Sequence, residues 1–311
     1  MPKPNPHLSA YEIGATLYMP VLHPKVREIV SGEIASPAAS IVLCLEDALH
    51  ESDVERGVET LVGLLASAPD RSPGSSPHLF VRPRSYDMAT RLRAMRGISR
   101  IDGFVAPKVR VETLPDWMSL LAGSDLRLMP TIETAEFFDP ARLVAMRDVI
   151  VGAGGGQIAA LRLGGNDLLG TMGLRRQRGV TSYEGPLGWF LSMAASVLIS
   201  SGIPVAAPVF DIIDDVDTLR REVERDVAMG FVSKTAIHPS QVPVIEAAMT
   251  VSRDEEIAAR AILQDEARAV FQIGGVMCEP ATHAGWARRV QARAAAFGVA
   301  PGPAQARAVA V

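Results

Sequence analysis

The chain has 311 residues, of which 48% are hydrophobic and 21% charged, and its 35 acidic and 31 basic side chains leave a net charge of −4. That length supports one barrel-sized domain and an appendage around a large core. The lack of a basic field argues against nucleic acid or an anionic membrane surface as a partner, and no run of about 18 apolar residues is there to cross a bilayer.

The first residues, Met1-Pro2-Lys3-Pro4-Asn5-Pro6-His7, have no signal-peptide core. The two cysteines, Cys44 and Cys278, lie far apart in apolar contexts. A cytoplasmic protein with reduced thiols is the expectation. Neither zinc-ligand spacing nor the phosphate-cradling GxxxxGK[ST] pattern occurs.

Taken in order, Ala15–Pro20 reads as a first strand, followed by a helix near 24–35. Residues 40–45 form an unbroken apolar run ending in Glu46-Asp47, as suits a strand buried on both faces of a parallel sheet. Residues 52–67 show a helical period in Val54, Val58, Leu61, Val62 and Leu65. The segment 69–77, rich in Ser, Pro and Gly, reads as a loop. Strand, helix, strand, helix then continue over 78–82, 87–96, 101–106 and 112–122. The strand at 126–130 runs on to Glu133 and a helix at 139–147. The strand at 159–163 stops at Gly164-Gly165 and presents Asp167 before a longer loop. An Ala-rich helix at 184–201, a strand at 203–209 leading to Asp211, a helix at 215–228, a strand at 230–234 and a helix at 239–250 complete the series.

About eight strand–helix units in roughly 240 residues predict an α/β fold, a (β/α)₈ TIM barrel. A doubly wound sheet would show a Gly-rich first turn, and the turn after Met19 is Pro-Val-Leu-His-Pro. Helices at 254–271 and 281–297 fall outside the repeat and read as a C-terminal helical lid. The expected organisation is a flexible lead-in over 1–13, a barrel over 14–250, a lid over 251–300 and a flexible tail over 301–311.

The residues just past the strands are the chemical ones: Glu46, Asp47, Arg82, Arg84, Lys108, Glu133, Asp167, Asp211, Lys234 and His238. In a barrel all would lie at the C-terminal mouth, where barrel active sites form. Mg²⁺ is hard and small, keeps waters, and binds through one or two carboxylates plus substrate. Glu133 and Asp167, each ending an apolar run, suit that demand, although either acid alone also suits a helix cap. Acids holding a cation, and the cation with Arg and Lys holding a carboxylate or phosphate, make a site for an anionic ligand. Each of these residues also has a plainer reading. Asp211 opens a helix-start pattern, Lys108 and Lys234 can be partners of mouth acids, and Arg84 can be solvated. His238, before Pro239, reads as an oriented structural histidine. Arg175, Arg176 and Arg178 read as a solvated run with a nucleotide phosphate as the alternative.

The motifs resemble the HpcH/HpaI aldolase and citrate lyase family, in its citrate lyase β-subunit-like branch. The matching segments are Leu45-Glu46-Asp47-Ala48, Val81-Arg82-Pro83, Ala106-Pro107-Lys108, Ile132-Glu133-Thr134-Ala135, Gly164-Gly165-Asn166-Asp167, and Gly230-Phe231-Val232-Ser233-Lys234 running on to Ile237-His238-Pro239. They span about residues 14–300 in the family's order. The resemblance implies Glu133 and Asp167 as Mg²⁺ ligands, with Mn²⁺ as a substitute, and Glu46 and Asp47 as holders of metal-bound water. It implies catalytic roles for Arg82, Lys108 and Glu279, the last from the lid. Substrate contacts fall to Arg82, Arg84, Lys234 and Asp211. The implied reaction is carbon–carbon cleavage or condensation through a metal-stabilised enolate, on a hydroxy or oxo acid or its CoA thioester. The implied assembly is a homotrimer or homohexamer, with no nucleic-acid or membrane partner. A thioester hydrolase or phosphotransfer enzyme, or a non-catalytic metal-binding subunit of a complex, are the alternatives. Two departures stand out: Gly14 where the family has an arginine, and Ser233 where it has a glycine.

Overall fold

A computed structural model describes residues 9–68 and 77–301. The expectations for residues 1–8, 69–76 and 302–311 lie outside the described residues. The chain forms two compact units that divide between Ile245 and Glu246.

In the first unit the strands are β1 (Ala15–Pro20), β2 (Ser40–Cys44), β3 (His78–Arg82), β4 (Gly103–Ala106), β5 (Arg127–Ile132), β6 (Leu161–Leu163), β7 (Val205–Ala207) and β8 (Ser233–Ala236). The helices are α1 (Val26–Ser31), α2 (Val54–Ser67), α3 (Tyr86–Arg93), α4 (Leu114–Leu121), α5 (Pro140–Gly152), α6 (Gly165–Thr171), α7 (Pro186–Leu198) and α8 (Val216–Met229). Helix α9 (Gln241–Met249) runs across the division. Each strand pairs in parallel with the next, and β8 closes on β1 through Ala15↔Lys234, Thr16↔Thr235 and Leu17↔Ala236. The expected (β/α)₈ barrel is therefore the fold.

Its main core lies between strands and helices. Helix α2 buries Val54, Val58, Leu61, Leu64 and Leu65 on one stripe, as an amphipathic helix on a sheet must. Caps set the helix starts: Ser85 accepts the Met88 N–H, Asp139 that of Ala141 and Asp215 that of Thr218.

Two elements differ from the sequence reading. The stretch after β6 is α6, not loop, so Asp167 sits in the first turn of a helix. In the second unit, helix α10 (Arg253–Ile262) ends nine residues before its expected end at 271. An antiparallel hairpin of β9 (Phe271–Ile273) and β10 (Val276–Cys278) replaces the last part of that helix and the loop beyond it. The physical cause is Gly274-Gly275: both take left-handed φ angles, +58° and +83°, as a tight two-residue hairpin turn requires. Helix α11 (Pro280–Phe297) comes next, and Val251, Ala259, Ile262, Cys278, Ala287 and Val290 form this unit's own core.

Candidate active site

Strand alternation sorts the barrel's side chains. On β6, Leu161 and Leu163 join the apolar core, while Arg162 between them reaches side chains on β1, β5 and β8. Polar side chains on the opposite face to the core thus meet at the C-terminal mouth. There a cavity of about 520 Å³ is lined by Tyr18, Glu46, Arg82, Thr131, Glu133 and Arg162, with Asp47, Asp167 and Thr235 also on its wall.

Glu46 and Glu133, both under 5% exposed, hold Arg82 between them. Arg82 Nη2 lies 2.7 Å from Glu46 Oε2, donates to Glu133 Oε1 at 3.1 Å, and lies 3.7 Å from Asp47 Oδ2. Lys108 Nζ donates to Glu46 Oε1 at 2.9 Å and lies 4.0 Å from Asp167 Oδ1. Lys108 carries a left-handed φ of +47°, the one non-glycine residue to do so among those described. That costly conformation aims its backbone N–H at Glu133 Oε1, 2.7 Å away. Gly164 has no room for a Cβ, which would collide with the Glu133 side chain.

The electrostatics follow from burial and neighbours. Burial pushes the Glu133 carboxyl up to about 7; Arg82 and the Lys108 N–H oppose the shift and Asp167 adds to it. Burial acts on Glu46 in the same direction, but Arg82, Asp47 and Lys108 outweigh it and hold Glu46 below the ordinary carboxylate range. Asp47, beside that ionised group, is raised by burial and by Glu46.

These residues fit a hard divalent cation. Glu133 and Asp167 face one cavity and repel each other, which a cation between them would relieve. Among the described residues no three His, Cys, Asp or Glu side chains gather into a cage. Two carboxylates with water and substrate completing the shell match the habit of Mg²⁺, not of structural zinc.

Several expected site residues lie elsewhere. Lys234 is fully buried, with Nζ donating to Glu222 Oε1 and Asp226 Oδ2 at 2.9 Å each; its strand position points it outward to α8, so it is no substrate contact. Asp211 faces Arg176 at 3.4 Å rather than the cavity. Arg84 does not line the cavity either. It donates to the carbonyls of Glu46 and Leu49 at 3.2 and 2.8 Å and to Glu51 Oε2 at 2.7 Å, holding the loop that carries Asp47. His238 is exposed, and its Nδ1 bonds Ser240 Oγ at 2.7 Å within its own turn. Arg176 is not a solvated residue: its side chain is 3% exposed, donates to Glu222 Oε2 at 2.6 Å and stacks on Phe210 at 4.7 Å. Arg178, by contrast, is exposed beside Asp214. In the second unit, Glu279 precedes α11, and its Oε2 accepts from the Thr282 hydroxyl at 3.2 Å.

Sequence reasoning passed over Arg162, Thr131 and Thr235. The available signal was a single charge inside the apolar strand Leu161-Arg162-Leu163. The two departures from the family pattern meet each other: Ser233 Oγ donates to the Gly14 carbonyl at 2.6 Å, and Gly14 has the left-handed φ of +57° that a glycine tolerates.

A closed parallel barrel with paired acids and arginines around a mouth cavity defines a TIM-barrel enzyme site. A family model described as C–C bond lyase of the TIM-barrel fold matches residues 7–299, and the chain belongs to that family. A (3S)-malyl-CoA thioesterase of Cereibacter sphaeroides is 30% identical over 166 residues, 53% of this chain and 53% of that one, so this match spans about half of the relative. An L-malyl-CoA/β-methylmalyl-CoA lyase of Rhodobacter capsulatus is 25% identical over 77% of this chain and 81% of its own. Protein CitE of Mycobacterium tuberculosis, solved with magnesium, acetoacetate and coenzyme A, superposes with a TM-score of 0.66 at 22% identity, covering 92% of this chain and 99% of that one. Among the described residues no helix is long and apolar enough to cross a membrane.

Proposed function

We propose that the chain is a Mg²⁺-dependent carbon–carbon lyase of the citrate lyase type, acting on a hydroxy or oxo acid carried as a CoA thioester. The observation that carries this reading is the pair Glu133 and Asp167 on one wall of a cavity that also holds two arginines. In this reading Glu133 and Asp167 hold the cation, and Mn²⁺ is an acceptable substitute. The bound cation would polarise the substrate oxygen on which negative charge develops.

The protein's own groups then divide the work. Arg82, fixed by Glu46 and Glu133, lines the cavity and would present its guanidinium to an enolate oxygen; its buried Nε–H has no partner among the described residues. Glu46 orients both Arg82 and Lys108. Asp47, with its side chain 63% exposed, is placed to hold water of the cation's shell. Glu279 is the proposed acid–base group. Its test is to mix Glu279→Gln with Asp167→Asn protein, each inactive alone; regained activity supports it and silence from exchanging oligomers rejects it. We also propose a homotrimer or homohexamer, checked by light scattering, and a cytoplasmic setting, which the two buried free thiols of Cys44 and Cys278 suit.

Thioester hydrolysis is the second reading, favoured by the relatives called thioesterases. One assay separates the two. A panel of hydroxyacyl-CoA thioesters with Mg²⁺ should give an acyl-CoA and an oxo acid from a lyase, but free CoA and a hydroxy acid from a hydrolase. No turnover across the panel, together with no Mg²⁺ binding by calorimetry, would reject both.

A further inference from the structure

We infer that Arg162, with the hydroxyl of Thr131, is a carboxylate-receiving subsite on the cavity floor that selects acids bearing a free carboxylate beyond the groups that reach the cation. This deepens the reading above and rests on it.

The argument starts from an uncompensated charge. Arg162 is 2% exposed, yet its described partners are neutral: Thr16 Oγ1 at 3.2 Å, Thr235 Oγ1 at 2.5 Å, the Met129 sulfur at 3.5 Å, and the Tyr18 ring at 5.3 Å. No carboxylate lies within 4.0 Å of it among the described residues. Every other buried cation among them has one: Lys234 has Glu222 and Asp226, Arg176 has Glu222, Arg293 has Glu255, and Arg82 has Glu46 and Glu133. Buried charges are ordinarily paired because leaving water is costly, and a guanidinium does not escape by losing its proton. Burial, opposed by Tyr18 and aided by the nearby charge of Arg82, works against the charged form of Arg162.

Two other groups at this level lack hydrogen-bond partners. Thr131 Oγ1 is buried with no hydrogen-bond partner among the described residues, and Thr131 is the register neighbour of Arg162 across β5 and β6. Arg82, which lines the same cavity, has a buried Nε–H with no hydrogen-bond partner among the described residues. A planar fork, a hydroxyl and an N–H, all donors, call for an anion with several lone pairs, which is a carboxylate. Thr16 and Thr235 keep the fork from collapsing onto an acid. On β5, Thr131 stands two residues before Glu133, one step deeper on the same face. The anion taken here is therefore separate from the groups at Glu133 and Asp167.

Malate and lactate, which differ by one carboxylate, are the probes. By calorimetry in Mg²⁺, wild-type protein should bind malate at least about tenfold tighter than lactate, about 1.4 kcal/mol. Arg162→Met should bring the two within about twofold while Mg²⁺ and lactate affinities hold. Its ligand-free melting temperature should be equal or higher, because a strained charge is gone. Arg162→Lys, which keeps charge but loses the fork, and Thr131→Val should both cut the preference. An unchanged preference in Arg162→Met, or none in the wild type, overturns the subsite alone. Wild-type protein that binds neither acid overturns the subsite, whereas the functional reading falls only if the thioester panel is not turned over and Mg²⁺ is not bound. If Arg162→Met does not fold, an unchanged preference in both Arg162→Lys and Thr131→Val makes Arg162 a strut and overturns the subsite.

Discussion

Two clusters of charge lie on opposite sides of the barrel wall, and they are built differently. Outside β8, Lys234 is gripped by Glu222 and Asp226. Arg176 and the Ser182 N–H complete Glu222, and the Tyr183 hydroxyl donates to Asp226 at 2.6 Å. Lys234, Glu222 and Asp226 are fully buried. At the mouth, four acids and three cations share the cavity region, yet among the described residues Arg162 bonds only neutral groups, and Thr131 Oγ1 and the Nε of Arg82 have no hydrogen-bond partner. A cluster whose donors and acceptors satisfy one another holds a structure together. A cluster left short of an anion and a cation is built to receive them.

The largest effect expected from this contrast is in the closed cluster. Lys234→Met leaves Glu222 and Asp226 buried without their cation, which should destabilise the barrel by about 3–5 kcal/mol. Thermal melts should fall by on the order of 10 °C. A wild-type melting temperature would erase the distinction between the clusters.

At the mouth the same kind of change should spare the fold and damage binding. Asp167→Asn or Glu133→Gln removes an anionic oxygen from the proposed cation site. Mg²⁺ affinity should drop about a hundredfold or more, about 2.7 kcal/mol, with the ligand-free melt nearly unmoved. Unchanged calorimetry in both variants would move the cation elsewhere.

Arg82 belongs to both descriptions, since it is ion-paired and also faces the cavity. Arg82→Lys keeps the charge and loses the fork, so kcat/KM should fall roughly tenfold, about 1.4 kcal/mol. Wild-type kinetics would assign Arg82 to scaffolding. The smallest effect expected is at Arg84, whose bonds to the Glu46 and Leu49 carbonyls hold the Asp47 loop. Arg84→Ala should cost about 1 kcal/mol of stability and raise KM a few-fold. An unmoved KM would detach that loop from substrate binding.

The sequence by itself determined the barrel, because eight apolar runs spaced by helical periods leave a parallel sheet few other ways to bury both faces. It also marked Glu46, Arg82, Lys108, Glu133 and Asp167 as mouth residues, since a residue just past a barrel strand has one end of the barrel to go to. What it left open was direction. Lys234 reads as a mouth residue just past its strand and Arg162 as a charge inside one; in the structure both lie within strands, and one turns outward to α8 while the other crosses the lumen. That choice depends on the register of β6 and β8 against their neighbours, fixed by Thr131↔Arg162 and Ala15↔Lys234, and a shift of one residue would exchange the faces. The pairing of Arg176 with Glu222, 46 residues apart, and of Ser233 with Gly14, 219 apart, likewise exists only once the barrel has closed. Local patterns set which residues are apolar and where strands stop; only closure of the barrel decided which charges meet a partner and which wait for a ligand.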